Sequence, residues 1–225
     1  MGIQNLPFLA QGQYRFRSMN HVLNGSDIAG QHMVEWFSGS SLNTDRWTIT
    51  SINSTGSMSD SVNGGYLLTT GTNNNDIIEL DFNQKRQYSN TASEVISVWK
   101  AGTSGNVFEN AEIGLMGDNY AISGIDRAGW VLNNAIASAS YFLESGNSSG
   151  VGYVWTSVPY DTNYHVFKSS LSASGMTGSI DGVAVGTTTT NLPSGKMQPH
   201  IHRQYKSDDG VARILNIAYM ECYNT

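Results

Sequence analysis

From Met33 onward the side chains alternate with a period of two, and turn-forming pairs punctuate the alternation. That pattern constrains the fold most, because a strand sends successive side chains to opposite faces. In Arg46-Trp47-Thr48-Ile49-Thr50-Ser51-Ile52, Trp47 and Ile49 share one face and Thr48 and Thr50 the other. Asn63-Gly64 separates Ser57–Val62 from Tyr66–Thr70. Asp181-Gly182 separates Met176–Ile180 from Val183–Gly186. Such pairs supply the positive φ angles that a two-residue hairpin requires. No stretch shows the sustained 3.6-residue period of an amphipathic helix. Further strands are expected at 33–38, 76–82, 94–100, 111–116, 119–125, 136–142, 152–157, 164–171, 197–204 and 211–223. About a dozen short strands suit an all-β chain folded as a two-sheet antiparallel sandwich.

Composition narrows the surface. Gly, Ser, Thr and Asn make up 90 of the 225 residues, whereas charged residues are 13%. The usual charged share is roughly 25%. Hydrophobic residues still reach 39% and aromatics 10%, which excludes a disordered chain. The outer strand faces must therefore carry hydroxyl and amide groups where Lys and Glu are more usual. The net charge of −6 argues against nucleic acid as a partner. No apolar run approaches the roughly 18 residues of a membrane span. The start Met1-Gly2-Ile3-Gln4-Asn5-Leu6-Pro7 has no early positive charge, so no secretory signal is expected. Cys222, the single cysteine, permits no intrachain disulfide and reads as a small buried apolar residue.

Residues 1–32 differ from the rest and read as an extended N-terminal arm, with the sandwich occupying 33–225. Within the arm only Tyr14-Arg15-Phe16-Arg17 alternates, and these four are assigned to docking on a neighbour by strand addition.

Candidate chemistry is sparse. His200-Ile201-His202 puts two imidazoles on one strand face, a spacing that zinc accepts, but no third ligand is evident from spacing. No metal site and no cofactor are assigned. Glu109 and Glu112 form an acidic pair that matches no motif. Trp47, Trp99, Tyr153 and Trp155 sit in or beside strands and read as core. Trp130 follows a polar loop and is the candidate glycan contact.

Several fragments resemble the concanavalin A-like lectin/glucanase superfamily, including laminin-G-like domains. They are Phe37-Ser38-Gly39-Ser40-Ser41-Leu42-Asn43-Thr44-Asp45-Arg46-Trp47, the strand Tyr164-His165-Val166-Phe167 with the hairpin Ser179-Ile180-Asp181-Gly182-Val183, and the ending Tyr219-Met220-Glu221. The resemblance implies a jelly-roll sandwich, and it leaves activity open because such folds host lectins, hydrolases and inert modules. Glucanases of this superfamily carry an E-x-D-x-x-E strand. The nearest match here is Glu79-Leu80-Asp81-Phe82-Asn83-Gln84, where Gln84 replaces the second Glu. An amide cannot cycle as acid and base, so Glu79 and Asp81 read as polar residues on a solvated face, and no enzyme activity is expected. Calcium, which lectin-type domains often hold, would have only Asp118-Asn119 and Asp208-Asp209-Gly210 as compact ligand sources, and both read as turns.

The expectation that follows is a virion structural protein, a bacteriophage capsid decoration (cement) or fibre/tail-associated subunit assembled in the host cytoplasm. Its partners would be copies of itself and other virion proteins. The alternative is a carbohydrate-binding, lectin-like module contacting host glycans. A glycoside hydrolase is the third and weakest reading.

Overall fold

The computed structural model describes residues 32–37, 42–53, 56–61, 64–83, 87–102, 109–117, 126–133, 140–205 and 211–225. Among them are fifteen strands and no helix. The first five are β1 (His32–Trp36), β2 (Thr48–Ile52), β3 (Ser57–Asp60), β4 (Tyr66–Thr69) and β5 (Ile77–Asp81). Next come β6 (Ala92–Ala101), β7 (Glu109–Met116), β8 (Arg127–Asn133), β9 (Ser140–Asn147) and β10 (Gly150–Pro159). The last are β11 (His165–Ser172), β12 (Gly175–Ile180), β13 (Val183–Thr188), β14 (Gln198–Tyr205) and β15 (Ile214–Asn224). They pair antiparallel in two sheets. The eight-stranded sheet runs β13-β12-β11-β6-β15-β4-β3, with β1 also paired to β15. The seven-stranded sheet runs β10-β9-β8-β7-β14-β5-β2. This is the two-sheet jelly-roll sandwich that the alternation and the resemblance led to expect.

One apolar face of each sheet closes on the other. Leu80, Ile113, Trp130, Leu143 and Ile201 from the seven-stranded sheet meet Leu68, Val95, Trp99, Phe167 and Ile217 from the eight-stranded one, all buried. Trp99 stacks on Phe167 with ring centroids 4.4 Å apart, and Tyr141 meets both rings edge-on. The second face of the eight-stranded sheet is mixed: Val98, Val166, Ala218 and Tyr219 form a smaller apolar cluster beside Trp36, next to the Lys168–Glu94 ion pair.

The hairpin that resembles the lectin superfamily has a physical reason for its residues. Asp181 and Gly182 adopt φ of 52° and 82°, the left-handed pair of the expected turn. From that turn Asp181 Oδ1 accepts the Val166 amide (2.8 Å), while His165 Nδ1–H donates to Oδ2 (2.6 Å). His165 Nε2–H donates in turn to Asp161 (3.0 Å). The hydrogen bond to Asp181, joined by that to Asp161, raises the His165 pKa against the opposing effect of burial.

Four expectations need correction or lie outside the described residues. Residues 127–133, read only as a loop exit around Trp130, form β8 in the middle of the seven-stranded sheet. Trp130 itself is 1% exposed, against Phe167 in the core, so it offers no ring to a glycan. Val131 faces the opposite side of the sheet and is also buried, which hid the alternation of this strand. The arm residues Tyr14, Arg15, Phe16 and Arg17 and the strand expected at 119–125 lie outside the described residues.

Asp181→Ala should lower unfolding stability by about 2–3 kcal/mol, the cost of two lost hydrogen bonds, one of them to a charged ring. Equilibrium denaturation at several pH values checks this. A raised histidine pKa contributes stability that is fully present below about 6.5 and fades as pH rises through the folded value. The penalty of the substitution should shrink over that same window.

Candidate functional site

The seven-stranded sheet turns its second face away from the core, and the strand registers write out what that face carries. One row across it reads Thr50, Glu79, His202, Glu112, Val131, Phe142 and Trp155. The next reads Thr48, Asp81, His200, Gly114, Gly129, Glu144 and Tyr153. A third holds Gln198, Met116, Arg127 and Gly146. Cross-strand partners share a face, so three rows of titratable groups lie side by side over the middle strands. Glu79, Asp81, Glu112, Glu144, His200 and His202 are all buried.

Burying that many ionisable groups needs compensation, and Arg127 supplies part of it. Its Nη1 donates to Glu144 Oε1 at 3.1 Å and lies 3.9 Å from Glu112 Oε2. One nitrogen at those two distances cannot leave the oxygens more than 7.0 Å apart. Gly146 makes this reach available, because a Cβ there would stand 2.7 Å from Arg127 Cγ. Burial raises the pKa of both carboxyls, and the Glu144 charge raises Glu112 further, to about 8. Glu144 rises less, because Arg127 offsets part of its burial. Both carboxyls are therefore held toward their protonated forms, and Arg127 favours the charge on Glu144, which it contacts more closely. Tyr153, cross-strand from Glu144, is pushed up to about 12 by burial and by that charge.

On β14 the two histidine rings lie nearly parallel, 6.0 Å apart at 16°. His200 Nδ1 is 3.5 Å from Glu79 Oε1. Burial, helped by the Arg127 charge, lowers the His200 pKa to about 3, so its ring is neutral at neutral pH.

Sequence reasoning found part of this face. Glu79 and Asp81 do share a face, as the two-residue period requires, but both are buried, so the solvated-face reading is corrected. Gln84, on which the E-x-D-x-x-E comparison turned, lies outside the described residues, as do Asp118-Asn119 and Asp208-Asp209-Gly210. Glu112 was noticed without a role. Glu144 and Arg127 were missed, although Glu144 directly follows the apolar run Tyr141–Leu143, a signal that was there to read. Among the described residues the exposed tryptophan is Trp155 rather than Trp130. It is 54% exposed at the sheet edge and packs edge-on against Phe142 with centroids 4.8 Å apart.

No protein-family model matches this sequence, and no curated protein is similar to it in sequence. Solved structures are similar in fold. A Shewanella oneidensis protein of unknown function superposes with a TM-score of 0.65 at 15% identity, over 94% of this chain and 95% of that one. A Bacillus licheniformis β-glucanase gives 0.62 at 13% identity, over 86% and 98%. The carbohydrate recognition domain of Emp47p gives 0.58 at 12% identity, over 83% and 94%. The fold is therefore a two-sheet jelly roll similar to that of these solved structures. These similarities overturn the expectation that the chain is not an enzyme. That expectation rested on one imperfect strand motif, whereas the fold is one that glycoside hydrolases use, and a different buried carboxyl pair is present.

Two outcomes follow from the buried pair. Arg127→Met should cost about 3–5 kcal/mol, because it leaves buried carboxylate charge uncompensated. Glu112, raised from 4.5 to about 8, contributes stability that is present below 4.5 and lost as pH rises to about 8. Denaturant midpoints should therefore fall less steeply over that window in Glu112→Gln than in the wild type, and parallel curves would contradict the burial argument.

Proposed function

We propose that this protein binds a glycan chain along the outer face of its seven-stranded sheet. The observation that carries this reading is Trp155, the exposed aromatic ring at the edge of the face that bears Glu112, Arg127 and Glu144. A flat indole offers the C–H face of a sugar ring a large apolar contact, while the half-buried Tyr153 phenol on the same strand accepts and donates hydrogen bonds to hydroxyls. The similarity in fold to a β-glucanase and to a carbohydrate recognition domain supports a glycan over the particle lattice first expected from surface composition.

A second reading, glycosidic-bond cleavage, is favoured by the carboxyl pair. Glycoside hydrolysis uses one protonated carboxyl as acid and one ionised carboxylate as nucleophile or base. Glu112 fits the first role because burial beside Glu144 keeps its proton. Glu144 fits the second because Arg127 Nη1 donates to it at 3.1 Å and offsets part of its burial. Environments that push two carboxyls apart in this way mark acid and base assignments.

Calorimetric titration with β-linked gluco-oligosaccharides tests binding. Trp155→Ala should weaken it at least about tenfold, given stacking worth about 1.4 kcal/mol or more. Binding unaltered by the substitution would contradict the reading. Reducing-end release tests cleavage. Glu112→Gln and Glu144→Gln should each lower it at least about a hundredfold, as loss of general acid–base catalysis does.

A further inference from the structure

Outside the carboxyl pair, the same face carries a group of side chains that neither glycan reading uses. Glu79, His200 and His202 each bring one ligand atom to within 4.8 Å of the others, and all three are buried. The spacing His200-Ile201-His202 supplies two imidazoles on one face, and β5 supplies the third group, because Glu79 is the register partner of His202. The third ligand that sequence spacing left missing therefore stands on the neighbouring strand. We propose that Glu79, His200 and His202 form a binding site for a divalent transition-metal ion of the zinc type.

The donor set selects the metal class. Two imidazole nitrogens and one carboxylate oxygen suit zinc and its neighbours, whereas calcium and magnesium require oxygen ligands throughout. Tetrahedral zinc holds ligand atoms about 3.4 Å apart at bond lengths of about 2.0–2.1 Å. His200 Nδ1 and Glu79 Oε1 already stand 3.5 Å apart. All three ligand atoms lie within 4.8 Å of one another. The strands fix the backbone of all three ligands through paired registers with β7 and β2, so the site is organised before a metal arrives. Charge on the surrounding groups acts in both directions. Asp81 stands cross-strand from His200 and Glu112 from His202, and both add negative potential when ionised. Arg127 opposes them. Three protein ligands leave a fourth position for water, the arrangement of an open rather than a closed zinc site. The proposal stands apart from the glycan reading, and its test involves no sugar.

Metal-stripped full-length protein titrated with Zn²⁺ should take up one ion per chain by native mass spectrometry, with no uptake of Ca²⁺ or Mg²⁺ under the same conditions. Glu79→Gln and His202→Gln should each weaken zinc binding at least tenfold, with far-UV circular dichroism confirming the fold. X-ray absorption of the wild-type zinc complex keeps the test independent of whether those variants fold. Two imidazoles in the absorption fine structure support the site. No uptake at stoichiometric zinc, uptake unaltered in both folded variants, or fine structure lacking imidazole would each overturn it.

Discussion

Arg127 is the cation around which the buried face of the seven-stranded sheet is organised. Removing carboxylates from water costs several kcal/mol each, and a cation in contact repays that only with good geometry. Here one guanidinium bonds Glu144 at 3.1 Å and approaches Glu112 at 3.9 Å. That arrangement offsets part of the burial of Glu144, while both carboxyls stay raised above their ordinary values. The same charge helps keep His200 neutral. Glu112, Glu144 and the imidazoles are therefore one electrostatic unit, not separate features.

The sandwich exists to hold that unit still. The opposite face of the same strands packs Leu80, Ile113, Trp130, Leu143 and Ile201 against the other sheet. A slip of one residue in any of these strands would send carboxylates into the core and leucines outward. Register is thus strongly fixed, and the site inherits its rigidity from the core beneath it. The His165–Asp181 contact performs a similar service on the far sheet, tying a hairpin turn to the adjoining strand through two hydrogen bonds.

Much of the fold was legible in the sequence, and for identifiable reasons. Asp181-Gly182 has only one common use between two alternating runs, and it forms the expected turn. The strand carrying Trp130 was not legible, because Ala128, Trp130, Val131 and Leu132 are buried on both faces and so show no alternation. The site was legible only in fragments. His200 and His202 were visible as a pair, since they lie on one strand. Glu79 joins them only through its pairing with His202 on a strand far along the chain, and sequence spacing carries no trace of that. Glu112, Arg127 and Glu144 come from three strands, and their meeting depends on the order β7-β8-β9. The composition also misled. Abundant Ser, Thr, Asn and Gly read as a coat for assembly, whereas the charged residues that matter are few and lie in the interior.

The central claim is that the outer face of the seven-stranded sheet is where this protein meets a glycan. Amide and indole chemical-shift mapping during titration with a β-linked gluco-oligosaccharide tests it most directly. The account predicts the largest shifts at the Trp155 indole and at the backbone of Tyr153, Glu144 and Glu112, with the eight-stranded sheet unmoved. Saturable shifts confined to the eight-stranded sheet, or none at millimolar sugar, would contradict it.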